Sequence, residues 1–158
     1  MYATLISTST WLVLKVNVDA ATFEGIGSVG VGSNLRNKAG AFIRTRSKRI
    51  SISMQTREAE TIALKEALTW IKKLGIKKCI FETDSKLLVD ACEGVQGRSF
   101  FHTIVLNCVQ LFKHFEEVPV QFVYEYADVA AHTLVRATLF MSGVDSYRSG
   151  AYFGYIDY

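Results

Sequence analysis

The sequence predicts an α/β fold: a five-stranded mixed sheet of three antiparallel strands extended by parallel ones, with helices on its faces. Three observations carry that expectation. The front of the chain alternates apolar and polar side chains between turn signals. The middle then switches to a helical apolar spacing free of glycine and proline. Beyond it, strand and helix patterns take turns, so the elements read βββαβ, one or two helices, β, α.

From Trp11 to Thr22, Leu12, Leu14, Val16 and Val18 fall on one face and Lys15, Asn17 and Asp19 on the other, the period of a strand. Glu24 and Gly25 begin a turn, and SVGVGSNL reads as a second strand. Asn37 to Gly40 is turn chemistry, and AFIRTRSKRISI makes a third strand of an antiparallel meander. Glu60, Leu64, Ala67, Ile71 and Leu74 then form one stripe of an amphipathic helix over Thr56 to Leu74. Gly75 ends it, with Lys72 and Lys73 at the negative end of the helix dipole.

KKCIFETD is a fourth strand, and SKLLVDACEG opens as a short helix with Asp84 or Ser85 as its cap. Phe101 to Phe115 supplies another helix, VQFVYEY a fifth strand and DVAAHTLVRATLFM a final helix. One domain is expected over 11–141. The remainder, 142–158, is a tail with four tyrosines and no clear period, whose packing the sequence leaves open.

The chain has 158 residues, of which 49% are hydrophobic and 21% charged, enough to fill a core. A single proline, Pro119, and eleven glycines exclude collagen-like and proline-rich chains. Cys79, Cys92 and Cys108 are too few and too widely spaced for a disulfide framework or a zinc ribbon. They read as reduced thiols of an intracellular protein, nuclear or cytoplasmic. No run approaches the ~18 apolar residues of a membrane span, and no basic stretch precedes the first apolar residues. No membrane partner is therefore expected.

Gly25, Gly27 and Gly30 match the dinucleotide-binding pattern G-x-G-x-x-G, which needs a helix to start at the glycines. The residues after them alternate as a strand, so a hairpin of small residues is expected and no dinucleotide cofactor. The carboxylates are more informative. Taken singly, Asp19 reads as a solvent-facing strand residue, Glu60 as a first-turn glutamate favoured by the helix dipole, and Asp84 as an N-cap. Taken together, they come from three elements that an α/β sheet can bring to one end of its strands. Three converging carboxylates repel one another, and a divalent cation removes that cost. Magnesium, which takes oxygen ligands, suits such a set, and paired ions can drive phosphodiester cleavage.

NVDAA around Asp19, REAETIALKEAL around Glu60, ETDS around Asp84 and the late ADVAAHTLVRA resemble ribonuclease H. The similarity is closest to the reverse-transcriptase-like ribonuclease H domains widespread in plant genomes and related to those of retroelements. It covers Trp11 to Met141 and implies the ribonuclease H-like fold. It also implies a magnesium-dependent endonuclease, with manganese as a substitute, that hydrolyses the RNA strand of RNA/DNA hybrids. Asp19, Glu60 and Asp84 match the family's metal ligands.

The family's fourth acidic position falls on His132, and Asp128 stands one turn earlier, where the plant-type subgroup carries asparagine. Residues four apart share a helical face. Two readings stand. In one, Asp128 supplies the missing negative charge and His132 assists proton transfer at the edge of the site. In the other, Asp128 caps the helix and His132 packs nearby. The lost acid also leaves open a catalytically silent ribonuclease H fold that binds nucleic acid or protein. His102 and His114 are expected to be surface or packing residues.

A net charge of +3 excludes a polycationic DNA-packing protein, but it is unevenly spread. Residues 1–50 carry seven basic and two acidic side chains, whereas residues 116–158 carry two and six. Arg44, Arg46 and Lys48 alternate on one strand face, an expected phosphate-contacting ribbon for an RNA/DNA hybrid or other nucleic acid. Lys72, Lys73, Lys77 and Lys78 form a second basic group, read as ordinary solvation at a helix end.

Overall fold

A computed structural model of the chain describes residues 14–117 and 120–124, and the backbone of 146–149. Strands β1 (Leu14–Phe23), β2 (Ser28–Arg36) and β3 (Phe42–Ile50) are followed by helix α1 (Thr56–Lys73) and strand β4 (Cys79–Thr83). Helices α2 (Lys86–Glu93) and α3 (Phe100–Phe112) and strands β5 (Val120–Phe122) and β6 (Ser146–Ser149) complete the described elements. The expected last helix, with Asp128 and His132, lies outside the described residues.

β3, β2 and β1 run antiparallel, and β4 and β5 extend the sheet in parallel beyond β1. This is the expected mixed sheet, in the order β3-β2-β1-β4-β5. A sixth strand adds to it. Ser146–Ser149 pairs antiparallel with β3, with Arg44 opposite Ser149 and Ser47 opposite Ser146. β3 thereby gains a neighbour on its outer side, where an open strand would present unpaired backbone groups.

The apolar stripe of α1 packs on β1 and β2, and α3 packs on α1. Leu64, Leu68 and Ile71 are fully buried in one cluster with Val16, Val18, Val29, Leu35 and Phe81. Each such side chain stabilises the fold by about 1.5–3 kcal/mol through its burial. The backbone N–H of Gln55 donates to Glu58 Oε2 at 3.1 Å, tying down the entry to α1. At its other end Gly75 takes a φ of 75°, and the N–H of Ile76 reaches back to the Ile71 carbonyl at 3.3 Å. α3 stops at Phe112 rather than Phe115. Phe115 leaves the helix in a turn yet stays buried, because its ring packs edge-on against Phe81 with centroids 5.4 Å apart.

Candidate metal centre

Asp19 stands midway along β1, Glu60 in the second turn of α1, and Asp84 just past the end of β4. Each offers a carboxylate oxygen, and the three atoms lie within 4.8 Å of one another. Residues distant in sequence meet because β4, parallel to β1 with Glu82 opposite Asn17, ends beside the middle of β1, and α1 packs on that same strand.

The ordinary readings of these acids give way one at a time. Asp19 is not solvent-facing: it is 3% exposed, as is Asn17 on the same face of β1. β1 alternates as its sequence predicts, but at Asn17 and Asp19 its polar face is covered rather than wet. Glu60 is buried, and the first-turn acid of α1 is Glu58. Asp84 does not cap α2, because Ser85 does, its hydroxyl accepting from the N–H of Leu88 at 3.3 Å. The N–H of Ala20 donates to Asp19 Oδ1 at 2.9 Å and helps fix that carboxylate. Three hard oxygen donors, two buried and one partly open, fit a divalent cation that keeps some waters.

Below this set lies a polar cluster that the sequence reading did not single out. Glu82 of β4 is 3% exposed, and its carboxylate meets three donors. Asn17 Nδ2 donates at 2.9 Å, Arg36 Nη2 at 2.6 Å and Lys15 Nζ at 3.1 Å. Burial pushes the Glu82 carboxyl up, but the hydrogen bonds and charges of Lys15 and Arg36 outweigh it and hold the group below its ordinary range. The signal was present as two matched spacings: Asn17 lies two residues before Asp19, and Glu82 two before Asp84.

Arg44, Arg46 and Lys48 do share one strand face. They stand opposite Leu35, Ser33 and Val31, so that face is the one beneath α1. Arg46 is buried, with Nη2 3.3 Å from Glu66 Oε2 and Nη1 donating to the Glu66 carbonyl at 3.2 Å. Lys48 Nζ lies 3.5 Å from the same carboxylate. Lys72, Lys73, Lys77 and Lys78 are exposed, and Lys78 pairs with Glu116 at 3.4 Å. His102 shares a 2.7 Å hydrogen bond with Ser99 Oγ, and His114 is exposed. In the glycine motif, Glu24–Ile26 is a single 3-10 turn closed by Gly27 at φ 56°. The chain then enters β2, so no helix N-terminus faces a pyrophosphate there.

The fold superposes on solved ribonuclease H structures. RNase H1 from the halophilic archaeon Halobacterium salinarum NRC-1 superposes with a TM-score of 0.73 at 19% identity, over 82% of this chain and 98% of that one. The N-terminal RNase H domain of a Mycobacterium tuberculosis protein gives 0.68 at 17% identity, over 82% and 94%. LC11-RNase H1, solved in complex with an RNA/DNA hybrid, gives 0.68 at 18%, over 78% and 94%. The chain is therefore a ribonuclease H-like domain in fold. Residues 17–138 match the family described as reverse transcriptase-like, and the chain belongs to that family. A search of curated proteins returned no match. Among the described residues no helix is long and apolar enough to cross a membrane.

Proposed function

We propose that this protein is a divalent-metal-dependent endonuclease that hydrolyses the RNA strand of RNA/DNA hybrids. The observation that carries the reading is the meeting of Asp19, Glu60 and Asp84, from three separate elements, within 4.8 Å. Asp19, Glu60 and Asp84 would hold magnesium, or manganese in its place. An ion held there would supply Lewis acidity to activate a water for attack on phosphorus and charge to stabilise the leaving oxygen. The burial of Asp19 and Glu60 keeps their carboxylates in place before the metal arrives, so little reorganisation is needed. His132 and Asp128 complete the proposal at its edge, the one as a proton-transfer group and the other as a compensating charge.

Among the basic residues of β3, Arg44 is the first to test for phosphate contact. Arg46 and Lys48 are held by Glu66, and either would have to exchange that partner for a phosphate. The domain itself we take as 11–141, of the plant retroelement-related kind, with 142–158 as an appended tail.

A second reading, a silent ribonuclease H fold that binds nucleic acid or protein, is favoured by one feature, histidine at the family's fourth acidic position. Incubation of the protein with labelled RNA/DNA hybrid, duplex RNA and duplex DNA, in magnesium or chelator, separates the two. Cleavage confined to the hybrid, lost in chelator and in Asp84→Asn, is the expected result. Binding without cleavage would instead select the silent module.

A further inference from the structure

Asn17 and Glu82 are direct partners across the parallel β1–β4 ladder, and their side chains are joined at 2.9 Å. Asp19 lies two residues further along β1 and Asp84 two residues beyond Glu82, just past the end of β4, about 7 Å on at the rise of extended chain. Lys15 and Arg36 face each other across β1 and β2, and both turn to the Glu82 carboxylate. Two cations are thus held just below a set of carboxylates suited to bind a cation.

A buried ion pair is weak evidence of stability in itself, because desolvation offsets most of its attraction. What the arrangement does change is the field above it. With Glu82 ionised, the cluster of Lys15, Arg36 and Glu82 carries one net positive charge rather than two. The geometry points to Glu82 as a positioning residue of the carboxylate set: an internal counter-ion to Lys15 and Arg36 that sets the affinity of Asp19, Glu60 and Asp84 for a divalent cation. This rests on the metal-site reading above. Glu82 touches no reacting atom in that reading; it acts through the field and through its hold on β1.

The test is Mn2+ binding by the full chain, followed by electron paramagnetic resonance of free Mn2+ without any nucleic acid. Glu82→Gln keeps the shape and removes the charge. It should weaken Mn2+ binding on the order of tenfold, the effect of one unit charge on a divalent ion at about 7 Å in a water-like dielectric. Lys15→Met removes a partly exposed cation and should tighten Mn2+ binding severalfold. Opposite signs mark a counter-ion. A cluster that served only as a brace would be loosened by either substitution, so weakening in both variants overturns the inference. Unchanged affinity in Glu82→Gln overturns it too.

Far-UV circular dichroism checks that each variant is folded. Should Glu82→Gln not fold, Lys15→Met decides alone, because tighter binding supports the counter-ion and unchanged or weaker binding refutes it. If the unaltered chain binds no Mn2+, the metal-site reading itself fails, and this inference with it. That failure is distinct from one seen only in the variants.

Discussion

The hydroxyl of Ser85 accepts a hydrogen bond from the backbone N–H of Leu88 at 3.3 Å, so the start of α2 is capped by the residue after Asp84 and not by Asp84 itself. Capping and metal binding thereby fall to adjacent residues. Ser85→Ala should cost about 1 kcal/mol of stability, the usual loss of an N-cap. Asp84→Asn should cost no cap, and in chelator it should leave stability unchanged or raise it slightly by relieving repulsion with Asp19 and Glu60. Urea denaturation of the three proteins in chelator checks the contrast; a loss in Asp84→Asn equal to that in Ser85→Ala would return the cap to Asp84.

A metal that binds only the folded chain must stabilise it. At a hundredfold excess over its dissociation constant the gain is about 2.7 kcal/mol. For a domain of this size that is a rise in Tm of roughly 5–10 °C. Thermal scans in magnesium and in chelator should show such a rise for the unaltered chain. Asp19→Asn and Glu60→Gln should each abolish most of it.

The acid side of the stability curve should report on Glu82. Its carboxyl is held below the ordinary value of 4.5 in the folded chain, chiefly by Lys15 and Arg36 overcoming the opposing effect of burial. A group with a depressed folded pKa adds stability that is fully present above its unfolded pKa. That stability is lost as pH falls below 4.5 and through the lower folded value. Denaturation midpoints between about pH 3 and pH 6 should therefore drop more steeply for the unaltered chain than for Glu82→Gln. Parallel curves would show that the carboxylate is not held by its two cations.

The cysteines should be inert. Burial pushes the Cys79 thiol up to about 12, and burial with the nearby Glu93 charge pushes Cys92 up to about 11. Cys108 is raised as well, chiefly by burial, and its thiol faces the Thr61 carbonyl at 3.7 Å. The thiolate is the reactive form, so all three should resist a thiol reagent such as DTNB at pH 8. Unfolding in guanidinium should release all three to rapid reaction; fast labelling of Cys92 in the native chain would show that α2 opens more readily than its packing implies.

Much of the fold was legible because its signals are local. The run from Leu14 to Val18 alternates, and the stripe Glu60, Leu64, Ala67, Ile71 returns every three or four residues, so each announces its own element and its own buried face. Asp19, Glu60 and Asp84 were legible as a set through the short motifs around them. Glu82 was not: it sits in the same ETDS text, but nothing local says that it meets Asn17, 65 residues earlier in the chain. The strand Ser146–Ser149 was equally silent, since it has no period of its own and pairs with β3.

The sequence by itself determined the order of strands and helices from β1 to β5, the apolar faces and the identity of three acids at positions suited to a metal. Those features arise from periodicity and chemistry within a few residues. Only the tertiary structure decided that Asn17 and Asp19 on the polar face of β1 are buried, that Ser85 rather than Asp84 caps α2, and that Arg46 and Lys48 turn to Glu66. It alone showed Lys15, Asn17 and Arg36 gathered on Glu82 below the carboxylates. The physical reason is common to all of these. A polar side chain is solvated, capping, paired or metal-binding according to what stands opposite it, and that neighbour is chosen by strand register and helix packing across long stretches of chain.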